Sequence, residues 1–246
     1  AGIAKALLGR AAVPDDLPFV TGQSGLLGTR PSYDMMMACD TLLMVGSGFP
    51  YAEYLPKPGQ ARGVQIDIDP GMMSLRYPME VNLVGDSAAT LEALIPLLER
   101  KQDRAWRHEI EENVAEWWRI VEERSMSPAD PINPERVLWE LSPRLPDDAI
   151  IALDSGVHHN WFMQFWNARQ PQTMLNTWGF SAMGFGVSGI LGAKLAAPDR
   201  PCVAIVGDGG FTMTPHVLCT AVEYDIPAVW VIWNNFSWAA IRDIQY

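Results

Sequence analysis

Two short turns hold the residue types best suited to chemistry, Gly207-Asp208-Gly209-Gly210 and Asn234-Asn235. Each directly follows an apolar run, CVAIV at 202–206 and AVWVIW at 228–233. If both runs are neighbouring strands of one parallel sheet, Asp208 and Asn235 emerge side by side at its carboxyl edge. One carboxylate and one amide oxygen are hard donors, a sensible part of the octahedral oxygen shell of Mg²⁺, which phosphate oxygens often complete. Glycines let backbone N–H groups approach such phosphates, and a helix starting after them would add the positive end of its dipole.

A second chemical stretch lies upstream. Asp154-Ser155-Gly156-Val157-His158-His159-Asn160-Trp161 follows the apolar run AIIAL at 149–153. Its adjacent histidines would point in different directions on a helix, so they form no metal site by themselves. The third is Trp178-Gly179-Phe180-Ser181-Ala182-Met183-Gly184-Phe185-Gly186, where a methionine taken alone is ordinary core.

The elements that must position these residues alternate. Runs at 41–45, 63–69, 149–153, 202–206 and 228–233 read as buried parallel strands. Helical stretches are expected over 31–38, 88–100 (capped by Asp86 or Ser87), 184–196 and near 214–224. Residues 101–125 form a charged amphipathic helix whose Trp106, Ile110, Val114, Trp117 and Val121 share one face. Three prolines then mark a linker, with Asn133 placed to cap a helix from Pro134. The expected fold class is therefore α/β: two doubly wound parallel-sheet domains, each incomplete. The division expected is 1–100, a helical linker over 101–133, and 134–246.

Composition narrows the function classes. With 48% hydrophobic and 19% charged residues the chain is globular, and its net charge of −11 argues against a nucleic-acid or membrane-surface binder. No apolar run is long enough to span a bilayer. The three cysteines show no metal spacing and read as reduced thiols of a cytoplasmic protein. The opening residues lack an initiator Met, and the end falls directly after a strand-and-turn pattern, so truncation at both ends is expected.

Gly207-Asp208-Gly209, twenty-four residues, then Asn234-Asn235 resembles the signature of the thiamine-diphosphate-dependent superfamily of decarboxylases and acetohydroxyacid synthases. The resemblance implies that Asp208, the side chain of Asn235 and the backbone carbonyl of Ser237 hold Mg²⁺. It implies that Gly207, Gly209 and Gly210 cradle the diphosphate. Gly156 and His158 match the family's Gly-Gln-His-type diphosphate loop, with Val157 where Gln is usual. The 178–186 segment is similar to the family's G-L-G-T-M-G-F-G. Met183 is thereby implied as the wedge that keeps the cofactor bent, and the Ser181 carbonyl as acceptor for the 4′-amino group, Ser replacing the usual Gly.

S-G-L-L-G-T-R-P (24–31), C-D-T-L-L-M-V-G-S-G-F-P-Y (39–51) and V-Q-I-D-I-D-P (64–70) resemble the central domain of pyruvate oxidases and quinone-linked pyruvate dehydrogenases, which binds FAD in several members. The first block also has a rough dinucleotide-site pattern, but Gly46-Ser47-Gly48-Phe49-Pro50 lacks a third glycine and puts Pro where a helix-entry amide would help.

The function implied is thiamine-diphosphate- and Mg²⁺-dependent processing of a 2-oxoacid, pyruvate foremost, by decarboxylation with carboligation. The alternatives are a FAD-linked pyruvate oxidase or dehydrogenase, and a non-enzymatic nucleotide- or FAD-binding module whose two turns are only structural. In the family the relay glutamate comes from a separate pyrimidine-binding domain, so this chain alone is expected to be inactive. Glu109, Glu111, Glu112 and Glu116 lie on the charged helix and do not replace it. A homodimer or homotetramer is implied, because these active sites form between subunits.

Overall fold

A computed structural model describes residues 1–171 and 173–245. The first domain opens with a parallel pair, β1 (Ile3–Lys5) and β2 (Val20–Gln23), followed by α1 (Arg30–Ala38). A second parallel sheet, β3 (Thr41–Val45), β4 (Arg62–Asp67) and β5 (Val81–Val84), is laid down in sequence order. Leu42 and Met44 of β3 pack with Phe49, Leu55 and Tyr77 on one face. After β5 comes α2 (Ser87–Leu94), capped by Asp86, whose carboxylate accepts from the Ala89 N–H at 2.9 Å. The α-helix stops short of the expected 100 because Pro96 has no N–H for the next rung, leaving a 3-10 turn over Ile95–Leu97.

The charged helix α3 (Ala105–Ser125) joins two cores. Ile110 and Val114 sit against Met35 of α1, whereas Val121 packs in the next domain with Leu138 of α4 (Pro134–Leu141). Asn133 caps α4 by accepting from Glu135 N at 3.0 Å, and its amide donates to the Arg124 carbonyl at 2.9 Å. A buried cluster makes a second tie. Asp15 pairs with Lys5 and Arg10, its carboxylate also accepts the Ala168 N–H, and Arg10 donates to the Trp166 carbonyl.

The second domain follows as β6 (Ile150–Leu153), α5 (His158–Phe165), β7 (Met174–Asn176), α6 (Phe185–Ala196) and β8 (Cys202–Gly207). It continues with α7 (Asp208–Phe211), α8 (Val217–Glu223), β9 (Val229–Trp233) and α9 (Ala239–Gln245). All four strands are parallel, in the order β7-β6-β8-β9. Ile151, Leu153, Val203 and Ile205 pack on Phe162 and Met163 of α5. The alternate residues Ile150, Ala152, Ala204 and Val206 pack on Val187, Ile190 and Leu191 of α6. Both faces are covered, which is why these strands are apolar throughout rather than alternating. Each fully buried Ile, Leu or Val stabilises by about 1.5–3 kcal/mol.

The chain is thus α/β, with two parallel-sheet domains. From β6 the path goes outward to β7, then crosses to β8 on the other side. The switch point falls between β6 and β8, the place in such sheets where ligands bind beyond the strand ends. Among the described residues no helix is long and apolar enough to cross a membrane.

Candidate functional site

The second sheet brings the two chemical turns together. Gly207 at the end of β8 lies in register with Trp233 of β9, so Asp208 and Asn234-Asn235 leave the sheet at the same edge. Asp208 is half-buried and its Oδ1 accepts from Gly209 N at 2.9 Å. Asn234 Oδ1 accepts from Phe236 N at 3.2 Å and Asn235 Oδ1 from Ser237 N at 3.1 Å, two side-chain turns that curl the chain and bring Ser237 round beside Asn235. No group of three or more His, Cys, Asp or Glu suited to a metal occurs among the described residues. The candidate donors are one carboxylate, one amide oxygen and one backbone carbonyl. That all-oxygen set fits a small hard cation that keeps water or phosphate as further ligands.

One sequence expectation changes. The glycines themselves sit in a single helical turn, Asp208–Phe211, and the next helix waits until Val217, beyond Pro215. A turn this short carries little macrodipole, so phosphate binding there rests on individual N–H groups and on charge. Trp238 lies across the turn: a Cβ on Gly209 would sit 2.3 Å from its Nε1.

His158 and His159 are both buried at the start of α5. His158 lies next to the glycine turn: a Cβ on Gly207 would sit 3.5 Å from its Nδ1. Its Nε2 is 2.9 Å from the Asp154 carbonyl, which only accepts, so Nε2 carries the proton. Burial pushes its pKa down to about 4. His159 points elsewhere, as adjacent helical residues do. Its Nε2 accepts from Trp178 Nε1–H at 2.7 Å with the rings edge to face, and burial, then the neighbouring His158, pushes its pKa down to about 2.

Trp178 begins the loop that carries Ser181 and Met183. Thr177 accepts the Ala182 N–H at 2.9 Å and tightens that loop. Ser181 is exposed with φ +53°, a left-handed backbone that explains why Gly is usual at this position in the related pattern. Met183 is half-buried, with its methyl 3.2 Å from where a Cβ on Gly209 would lie. Gly184 then takes φ +91° to begin α6. The structure therefore brings Gly156, His158, Met183, Gly207, Asp208, Gly209, Gly210 and Asn235 to one end of the second sheet, with Ser181 in the adjoining loop.

Sequence reasoning missed Asp154, which is wholly buried at the end of β6 and hydrogen-bonded to Gly184 N. It also missed Trp238 and the His159–Trp178 pair. The available signal was a carboxylate ending an otherwise apolar strand, at the position that Asp208 occupies on the next.

In the first domain the turn after β3 behaves differently. It leads into a 3-10 turn, Ala52–Tyr54, rather than a helix, and Met72 fills the space beside Gly48. Asp67 at the end of β4 accepts the Asp69 N–H at 3.1 Å and closes its own turn. These residues do not fit the helix-start phosphate site of dinucleotide-binding sheets.

Comparison with known proteins agrees with the geometry. Residues 1–94 match the family model "Thiamine pyrophosphate enzyme, central domain", and residues 154–246 match "Thiamine pyrophosphate enzyme, C-terminal TPP binding domain". The chain is 36% identical, over 96% of its length, to the putative thiamine pyrophosphate-containing protein YdaP of Bacillus subtilis. It is 31% identical over 93% of its length to a probable acetolactate synthase large subunit of Methanocaldococcus jannaschii, and 26% identical over 96% to pyruvate oxidase of Lactiplantibacillus plantarum. These matches take in 41%, 40% and 39% of the three relatives' own lengths.

Proposed function

Because the chain belongs to the thiamine pyrophosphate enzyme family, we propose that the end of the second sheet grips thiamine diphosphate through Mg²⁺ in an enzyme acting on a 2-oxoacid, pyruvate foremost. The observation that carries this reading is the convergence of the Asp208 and Asn235 turns at the carboxyl edge of neighbouring parallel strands, beside the switch point. Asp208, the Asn235 amide and the Ser237 carbonyl hold the cation. The N–H groups of the 207–210 turn face the diphosphate, Gly156 leaves room for it, and His158 supports the turn. Met183 would be the wedge that keeps the bound cofactor bent, and the Ser181 carbonyl would accept from its amino group. Bound there, thiamine diphosphate supplies the electron sink that lets a 2-oxoacid lose carbon dioxide.

The protein's own part is to bind, bend and shield. A relay carboxylate from a pyrimidine-binding domain on a neighbouring copy of the intact protein would complete the proton path, so the site works within a homo-oligomer. Carboligation to an acetolactate-type product is the preferred fate, on the strength of the acetolactate synthase relatives at 28–31% identity. The pyruvate oxidase relative supports a second fate, oxidation through a flavin.

Pyruvate consumption by the intact enzyme, with thiamine diphosphate and Mg²⁺ and with or without an artificial electron acceptor, separates the two. Acetolactate formed without acceptor upholds carboligation. Acetate formed only with acceptor replaces it by the oxidase reading, and no consumption under either condition removes pyruvate as the substrate.

A further inference from the structure

Asp154 ends β6 at the switch point and is 0% exposed. Backbone N–H groups surround its carboxylate. Ser155 N is 2.6 Å from Oδ1, and Gly184 N is 3.0 Å from Oδ1 and 2.9 Å from Oδ2. The 207–210 loop abuts it as well: a Cβ on Gly210 would lie 2.6 Å from Oδ2. A Cβ on Gly186 would lie 2.9 Å from the Asp154 Cβ. One side chain thus touches the loops beginning at 155, 184 and 207. Its own main chain is fixed, with N bonded to the Ile205 carbonyl of β8 at 3.0 Å and its carbonyl to His158.

A buried carboxylate that finds only N–H groups is a costly way to fill space, and burial pushes its pKa up against the opposing pull of those groups. An apolar side chain would pack there without that cost. What the carboxylate adds is direction, because it fixes the orientation of several peptide planes at once. Met183 immediately precedes the doubly bonded Gly184, and Gly210 of the 207–210 turn abuts the same carboxylate.

We propose that Asp154 is a positioning residue that clamps the Met183–Gly186 segment against the 207–210 turn, setting the separation between the wedge and the diphosphate grip. It makes no contact with the cofactor. Its consequence for cofactor binding rests on the thiamine diphosphate reading; the clamp itself does not.

The test compares the intact protein with Asp154→Asn, which keeps the shape but turns an NH₂ group towards N–H donors. Hydrogen exchange is read by peptide, and thiamine diphosphate affinity is titrated at saturating Mg²⁺. Exchange over residues 183–187 should rise at least about tenfold while the strand over 202–206 is unchanged, and the cofactor Kd should rise about tenfold or more. KM for the 2-oxoacid at saturating cofactor should stay the same. Equal acceleration of both segments reduces Asp154 to a general structural residue and overturns the proposal, as does an unchanged cofactor Kd. If the wild type fails to bind thiamine diphosphate, the functional reading falls, while the exchange pattern still upholds or overturns the clamp. Should Asp154→Asn not fold, Asp154→Ser leaves room for water at the N–H groups and carries the same readouts.

Discussion

Both domains place a glycine turn directly after a parallel strand, Gly46-Ser47-Gly48 after β3 and Gly207-Asp208-Gly209-Gly210 after β8. Beyond that they part. The first lies in a sheet whose described strands are added in order, β3-β4-β5, with no switch point, and its neighbouring acid closes its own turn. The second lies where β6 and β8 diverge, among two further glycine loops joined through a buried carboxylate. Glycines at a strand end are inexpensive and common. A topological switch that aims several such turns at one point is what makes a site.

Paired substitutions sharpen that contrast most. Gly210→Ala drives a methyl against Asp154 Oδ2, a fixed atom 2.6 Å away. We expect a loss of about 1–3 kcal/mol in stability and of about 100-fold in thiamine diphosphate affinity, since the turn must shift. Gly48→Ala meets only the mobile Met72 methyl at 2.4 Å. It should cost under about 1 kcal/mol and leave cofactor affinity unchanged. Equal losses of affinity from the two variants would erase the distinction between the turns.

A smaller effect is expected from acid. His159 accepts from Trp178 only while neutral, and its pKa lies far below the usual 6.5. The unfolded chain therefore binds the proton first. His159 contributes stability that is complete above about pH 6.5 and lost as pH falls, by about 1.4 kcal/mol per pH unit. Urea unfolding at about pH 7, 6 and 5 should show this slope together with an equal one from buried His158, and His159→Gln should halve the combined slope. An unchanged slope in the variant would remove His159 as the cause. Smallest, Ser181→Gly relieves a left-handed backbone at φ +53° and should stabilise by about 1 kcal/mol in thermal unfolding. A loss instead would show that the serine side chain does more for the loop than the strain costs.

Long elements and adjacent motifs were legible in the sequence. Strands β3, β4, β6, β8 and β9 showed as apolar runs, though only β6 and β8 are buried on both faces while β3 and β9 expose Leu43, Val229 and Ile232, and Asn133 announced α4 by its capping chemistry. Strands β1 and β7, of three residues each, carry too little pattern to be read. The Asp208 and Asn235 turns were visible because each follows its strand within a few residues. The role of Asp154 was not, because the partner that ties it to another loop is the Gly184 N–H thirty residues away, which leaves no side-chain signature. The short α7 was also hidden, since glycines favour both a phosphate turn and an early helix stop.

The Mg²⁺-dependent grip at Asp208 is read most directly by calorimetric titration of the intact protein with thiamine diphosphate, with and without Mg²⁺, beside Asp208→Ala. Binding should need Mg²⁺ and be lost, by about 100-fold or more, in the variant. Binding that persists without Mg²⁺ or survives Asp208→Ala would contradict it and return the two turns to a purely structural role.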